Sequence, residues 1–275
     1  IVGFNTEPVL LTYPDNAVID ELLQKRMKSR PEYEFATYNK ETHALWLIDD
    51  PENIEKIKQE FGAMEKLYIA DGHHRSASSY LLAKESKENN PEHTGKEAYN
   101  FFMSYLISES NLRIFEFSRL IKDLNGHSKE GFLILLDEWF RIENRGSEVY
   151  IPSKKHHFNM YLDGEFYSLY LRKTNYEFTD SLSELDSYIL YEKILKPVLG
   201  IQDLRHDKRI AYIHGRNDIV ELKTRVDKGE FAVGFGMLPA GIEEIKQIAD
   251  ENLTMPPKST YIEPKLRSGL TIYEF

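Results

Sequence analysis

The pattern of apolar and polar positions divides the chain into short strands and amphipathic helices. Glu7 to Tyr13 (EPVLLTY) predicts a strand, and Pro14, Asp15 and Asn16 turn it into a helix over Ala17 to Met27, where Val18, Leu22 and Leu23 share one face. Tyr33 to Tyr38 and His43 to Ile48 predict paired strands turning at Asn39, Lys40 and Glu41. Asp50, Pro51 and Glu52 are the residues a helix start favours, so the acidic pair Asp49-Asp50 is taken as the cap of a helix through Phe61. Leu67 to Leu82 (LYIADGHHRSASSYLL) runs from an apolar strand through five polar residues into a helix, and Glu85 to Gly95 is a polar loop.

Further along, Tyr99 to Ser108 and Arg113 to Phe117 predict a hairpin turning at Glu109, Ser110 and Asn111. Asn125-Gly126 breaks the chain before a helix over Lys129 to Ile142 with Phe132, Leu133, Leu136, Trp139 and Phe140 on its apolar face. Phe158 to Leu162 and Phe166 to Leu171 flank Asp163-Gly164, a two-residue hairpin turn that sets Leu162 opposite Glu165, Met160 opposite Tyr167 and Phe158 opposite Leu169. The preceding Lys154, Lys155, His156 and His157 are expected as a solvated basic edge. Leu182 to Leu199 has helical spacing. A strand (Ile210 to Ile213), a helix over Asp218 to Lys228 capped by Asn217, a strand (Phe231 to Phe235) and a helix over Gly241 to Glu251 then imply parallel pairing in the C-terminal part. The fold class is therefore mixed α/β (α+β). Two packed subdomains are expected, 1–125 and 126–275, with one continuous domain as the alternative. No internal repeat or low-complexity tract occurs.

Composition narrows the classes. With 41% apolar residues, 17 Tyr and 15 Phe, the chain can fill a substantial core. The net charge of −10 argues against a nucleic acid or an anionic membrane as partner. The absence of cysteine excludes disulfides, thiolate metal sites and a cysteine nucleophile, and fits a reducing, cytoplasmic setting. No apolar run approaches the ~18 residues of a membrane span, and no signal peptide is recognisable. The oligomeric state is not legible.

The candidate chemistry sits at Asp71, Gly72, His73, His74 and Arg75. A helix start has backbone N–H groups without partners and the positive end of the helix dipole, so it attracts anions. Gly72 permits close approach or a positive φ, Arg75 offers a planar fork to phosphate, and Ser76 adds a hydroxyl. Asp71, His73 and His74 supply an acid, a base or a metal ligand. The structural alternative has Asp71 capping the helix and Arg75 paired with it. A second basic and hydroxyl-rich stretch, with Lys258, Ser259, Thr260, Lys265 and Arg267 among three prolines, reads equally as an anion grip and as an ordinary surface loop.

IADGHHR at Ile69 to Arg75 together with MPPKSTYIEPKLRSGL at Met255 to Leu270 resembles an uncharacterised prokaryotic family, domain-of-unknown-function family 1015. The chain starts at Ile1, and members of that family carry an earlier segment with a His-Glu motif, so the resemblance implies that native sequence precedes Ile1. Gly72-x-x-Arg75 is also similar to the phosphate turn of ParB/sulfiredoxin-like proteins, which include free-serine kinases. That likeness implies phosphate binding by Arg75 and the Gly72–Ser76 backbone with help from His74, and a metal or acceptor hydroxyl held by Asp71. No counterpart of the kinases' catalytic acid is identifiable.

The leading expectation is a protein that binds a nucleotide or phosphorylated metabolite, acting as a small-molecule phosphotransferase with ATP or ADP and Mg²⁺ or Mn²⁺. Two alternatives stay open: a hydrolase whose divalent metal is held by Asp71 and His73 or His74, for which His43, His127, His206 and His214 show no ligand spacing, and a non-enzymatic phospholigand sensor.

Overall fold

A computed structural model of the chain describes residues 3–38, 40–214, 218–265 and 267–275. The turn position Asn39 and the helix cap Asn217 lie outside the described residues. The fold is mixed α+β, and the chain forms two compact units, Ile1–Leu112 with Pro264–Phe275, and Arg113–Glu263. The Asn125-Gly126 break falls inside the second unit, because the strand before it belongs to that unit's main sheet.

The first unit begins with β1 (Phe4–Asn5), which pairs with the short strand Tyr273–Glu274. β2 (Val9–Tyr13) leads through Asn16 into α1 (Ala17–Met27), where the Asn16 side chain accepts from the Val18 and Ile19 N–H groups. β3 (Tyr33–Ala36) and β4 (Thr42–Leu45) form the expected antiparallel pair. α2 (Pro51–Gly62) starts at Asp50, whose carboxylate accepts from Asn53 N–H at 3.0 Å, so Asp50 of the acidic pair serves as the cap. β5 (Tyr68–Asp71) passes through Gly72 into α3 (His73–Glu88), and β6 (Ser104–Ser108) completes a sheet ordered β5-β2-β6. Val9, Leu10, Tyr13, Ile19 and Ile107 are buried here, each gaining about 1.5–3 kcal/mol if fully removed from water.

Two expectations fail at this point. Residues 85–88 continue α3 instead of starting a loop. Tyr99–Ser108 and Arg113–Phe117 do not pair as a hairpin: β6 runs parallel to β2, with Thr12 Oγ1 donating to the Ile107 carbonyl at 3.0 Å, and β7 (Arg113–Phe115) takes a different partner in the second unit.

In the second unit, β8 (Phe117–Ile121) is buried on both faces. α4 (Lys129–Asp137) ends earlier than expected, and Phe140 opens β9 (Phe140–Gly146). Alternation explains the change, since Phe140 and Ile142 turn to the core side while Arg141, Glu143 and Arg145 take the opposite one. β10 (His157–Leu162) and β11 (Glu165–Leu171) pair in the predicted register, with Asp163 and Gly164 at φ 51 and 82. The helix expected over Leu182 to Leu199 is α5 (Asp186–Leu190) continued by a wider π turn over Tyr191–Leu195. β12 (Ile210–His214), α6 (Asp218–Asp227), β13 (Val233–Met237), α7 (Ile242–Asp250) and β14 (Tyr261–Glu263) follow, and β14 is the partner of β7.

The main sheet is ordered β12-β8-β13-β10-β11-β9, and every neighbouring pair is antiparallel. This corrects the parallel pairing expected in the C-terminal part. The β12-α6-β13 crossover does return the chain in the same direction, but β8 is inserted between the two strands and runs opposite to both. The one parallel ladder among the described residues, β2 with β6, lies in the first unit. One sheet face carries the larger core, including Phe132, Leu136, Phe158, Leu169, Ile194 and Phe235. α6 covers part of the other face through Leu222 and Val226. None of the helices, among the described residues, is long and apolar enough to cross a membrane.

His156 and His157 are not a solvated edge. His156 is buried at φ 64, its backbone N–H donates to Asp186 Oδ1 at 2.8 Å, its Nδ1 lies 3.1 Å from the same oxygen, and Tyr176 and Phe178 pack on its ring. His157 Nδ1 instead lies 3.1 Å from the Tyr150 hydroxyl.

Candidate functional site

The Asp71-to-Arg75 segment lies at a strand-to-helix junction in the first unit, as its sequence predicts. Leu10 of β2 is the register partner of Asp71, which fixes the end of β5 beside the start of β2. Gly72 follows as the residue before the helix, at φ 97 and ψ 27, a left-handed conformation that an L side chain resists. Having no side chain, Gly72 does not cap α3, and the Ser76 N–H closes the first helical turn onto the Gly72 carbonyl at 2.9 Å. His73 and His74 are exposed at the first turn, and Arg75 and Ser76 are half-buried.

Arg75 folds back over this turn. A Cβ at Gly72 would meet its Cζ at 3.1 Å. Its Nη1 donates to the Pro8 carbonyl and lies 3.4 Å from Glu7 Oε2, while Nη2 is 3.8 Å from Asp71 Oδ2. Asp71 accepts from the Gly72 N–H at 3.0 Å through one oxygen and from Lys265 Nζ at 3.0 Å through the other. Burial pushes the Asp71 carboxyl up, but Lys265, the Gly72 N–H and Arg75 together outweigh it and hold the group below the usual carboxylate range. Two carboxylates and two cations therefore alternate around the turn. The Asp71–Arg75 pairing anticipated as the structural alternative is present, whereas Asp71 capping of α3 is not, because Gly72 occupies the cap position.

The junction opens on a cleft of about 570 Å³ along one side of α3, lined by Glu7, His74, Arg75, Ser78, Leu82 and Glu85 among others. Arg75, Ser78, Leu82 and Glu85 follow helical spacing, so they form a stripe. Sequence reasoning missed Glu7. Its signal was slight, a single acid two residues before β2, and it depends on the β2–β5 pairing that brings the start of β2 to the turn.

The second basic stretch divides between the units. Lys265 reaches Asp71, and Arg267 Nη2 is 3.2 Å from Glu41 Oε2, both within the first unit. Lys258, Ser259 and Thr260 belong to the second. There the Lys258 carbonyl accepts from Arg119 Nη2 at 3.2 Å, the Lys258 ammonium lies 5.2 Å from the centre of the Phe117 ring, and Ser259 is buried with Oγ donating to the Pro256 carbonyl at 2.8 Å. Among the described residues, no three His, Asp or Glu side chains come together as a metal-binding group.

No curated protein matches the chain. Among solved structures, a conserved hypothetical protein from Pyrococcus furiosus is similar at 12% identity and TM-score 0.44, over 97% of this chain and 80% of that one. A free serine kinase in complex with AMP is similar at 12% identity and TM-score 0.37, over 94% of this chain and 84% of that one. SbnI with a C-terminal truncation, from Staphylococcus aureus, matches at 12% identity and TM-score 0.41, over 80% of this chain and 78% of that one. Likenesses at this level carry no functional weight. The family described as a protein of unknown function, DUF1015, matches residues 1–188, more than half of the 275. The chain belongs to the DUF1015 family.

Proposed function

We propose that the first unit binds the phosphate of a nucleotide or small phosphorylated metabolite at the Gly72–Ser76 turn and transfers a phosphoryl group there. The observation that supports this most is the uncapped start of α3 at Gly72, φ 97, with the guanidinium of Arg75 laid over the same turn. The free N–H groups of a first helical turn and the positive helix end meet a phosphate without reorganisation. His74 and Ser76 stand beside them. Arg75, ion-paired with Glu7 and Asp71, turns its guanidinium to make charge-assisted hydrogen bonds to the phosphate.

In the reaction, an acceptor hydroxyl forms a new bond to the terminal phosphorus of ATP. The bond to the bridging oxygen breaks, ADP departs, and the hydroxyl proton passes to Glu7, the carboxylate that lines the cleft beside Arg75. Mg²⁺ or Mn²⁺, when bound, would supply charge neutralisation on the phosphates. Asp71 would be the residue to meet such an ion, in exchange for its ion pairs with Lys265 and Arg75.

Amide NMR of the full-length protein tests the reading. Titration with ADP and Mg²⁺ is expected to shift the His73, His74, Arg75 and Ser76 signals first. Unmoved signals in that turn at saturating nucleotide contradict it.

A further inference from the structure

The second unit contains a small polar chamber that plays no part in the phosphate turn. Its wall includes Glu116 between β7 and β8, Asp186 and Ser187 of α5, Lys155 before β10, Glu244 of α7, and Ser259 of the MPPKST segment. It has about 10 Å³ of room for the centre of a water-sized sphere, close to the minimum of roughly 10–15 Å³ for one water.

Glu116 makes this chamber unusual. The residue is 8% exposed, its Oε1 accepts from the Met237 N–H at 2.6 Å, and its Oε2 is buried with no partner in the protein. An unpaired buried carboxyl oxygen carries its full desolvation cost, a larger one if charged. The neighbours are already committed. Asp186 is bonded to His156, Lys155 Nζ sits 2.9 Å from Glu244 and 3.7 Å from Glu184, and Ser187 Oγ donates to Ser259 Oγ at 3.0 Å.

We infer that this chamber is a binding site for a single structural water, which hydrogen-bonds Glu116 Oε2 and links it to the hydroxyls and carboxylate of the opposite wall. The charges around the chamber select a neutral occupant. Lys155 in the wall and the buried Arg119 close by disfavour a cation, and Asp186 and Glu244 disfavour an anion. Burial also holds the Glu116 carboxyl well above its usual range, so it keeps a proton that a water can accept. Ser187 and Ser259 retain unused lone pairs, and Asp186 a further acceptor oxygen, giving the water the two to four partners that buried waters have. The MPPKST segment thereby acquires a role in this chain: Ser259 closes the chamber and ties the segment to α5.

A high-resolution crystal structure of the full-length protein tests this. The expected result is one ordered water within hydrogen-bonding distance of Glu116 Oε2 and of at least one of Ser187, Ser259 or Asp186. Glu116→Gln is expected to keep that water, and Glu116→Leu to lose it. An empty chamber in a wild-type map that resolves other buried waters overturns the inference. Direct bonding of Oε2 to a protein group overturns it equally, and the wild-type map decides even if a variant does not fold.

Discussion

Lys265 Nζ lies 3.0 Å from Asp71 Oδ2, a contact across 194 positions of the chain that joins the C-terminal segment to the Asp71–Arg75 turn. The ion pair is partly exposed, at 44% and 41% for the two side chains, so its stabilisation is that of a surface pair, about 0.2–1 kcal/mol. Its larger effect is on geometry: it fixes the Asp71 carboxylate at the start of α3.

Lys265→Met is therefore expected to lower stability slightly at neutral pH. Because the Asp71 carboxyl is held below its usual range, the stabilisation is present above the unfolded value of about 3.9 and is lost as pH falls through the folded value. Urea denaturation of wild type and variant at pH 7 and at successively lower pH checks this, with the difference expected to shrink as the pH falls.

Gly72→Ala is expected to destabilise the protein by about 1–2 kcal/mol, the penalty for an L side chain in the left-handed region. The new methyl would stand 3.1 Å from Arg75 Cζ, so the guanidinium must move. Denaturation reports the first effect. A weakened response to ADP in the same variant reports the second.

Gly234→Ala tests the packing of α6. A Cβ there would stand 2.5 Å from Leu222 Cγ, so the variant is expected to lose about 1–3 kcal/mol by overpacking. Leu222→Ala alone is expected to cost about 2–5 kcal/mol, and the double variant less than the sum of the two, a coupling that a double-mutant cycle by denaturant midpoint measures.

Glu116 gives a pH dependence of opposite sign to Asp71. Burial raises its carboxyl far above the usual range, against the pull of Arg119, while Asp218 and Asp186 add to the rise. The folded protein keeps a proton that the unfolded chain releases above about pH 4.3, so stability falls as pH rises from there towards the folded value. In Glu116→Gln this fall is expected to be absent. Stability curves from pH 4 to pH 8 make the comparison, and parallel curves for the two proteins would contradict the assignment.

Local chemistry was the part of the fold most legible in the sequence. The Asp163-Gly164 turn fixes a register through two residues whose backbone conformations few others adopt, and the register follows as predicted. Asp50 and Asn16 announce their helices because a cap acts within three residues. Pairing at long range left weaker traces. β6 and β7 are both apolar and adjacent in sequence, yet β2 and β14 bond them instead of each other. Phe140 satisfies a helical face as well as a strand, and only pairing with β11 decides between them.

The candidate site divides along the same line. The strand, Gly72 and helix were legible because they are contiguous, whereas Glu7, the Pro8 carbonyl and the Lys265–Asp71 pair reach the turn through β-pairing and the return of the C-terminal segment. His156 read as surface from its basic neighbours, while its burial depends on Asp186, thirty positions away.

The most direct test of the phosphate turn is calorimetry of the full-length protein with ADP and Mg²⁺, comparing wild type, Arg75→Lys and Arg75→Ala. Loss of one charge-assisted interaction of about 1.5–3 kcal/mol corresponds to a weakening of roughly tenfold to a hundredfold. The account predicts that loss in Arg75→Ala and a partial recovery in Arg75→Lys. Equal affinity in all three proteins would contradict it.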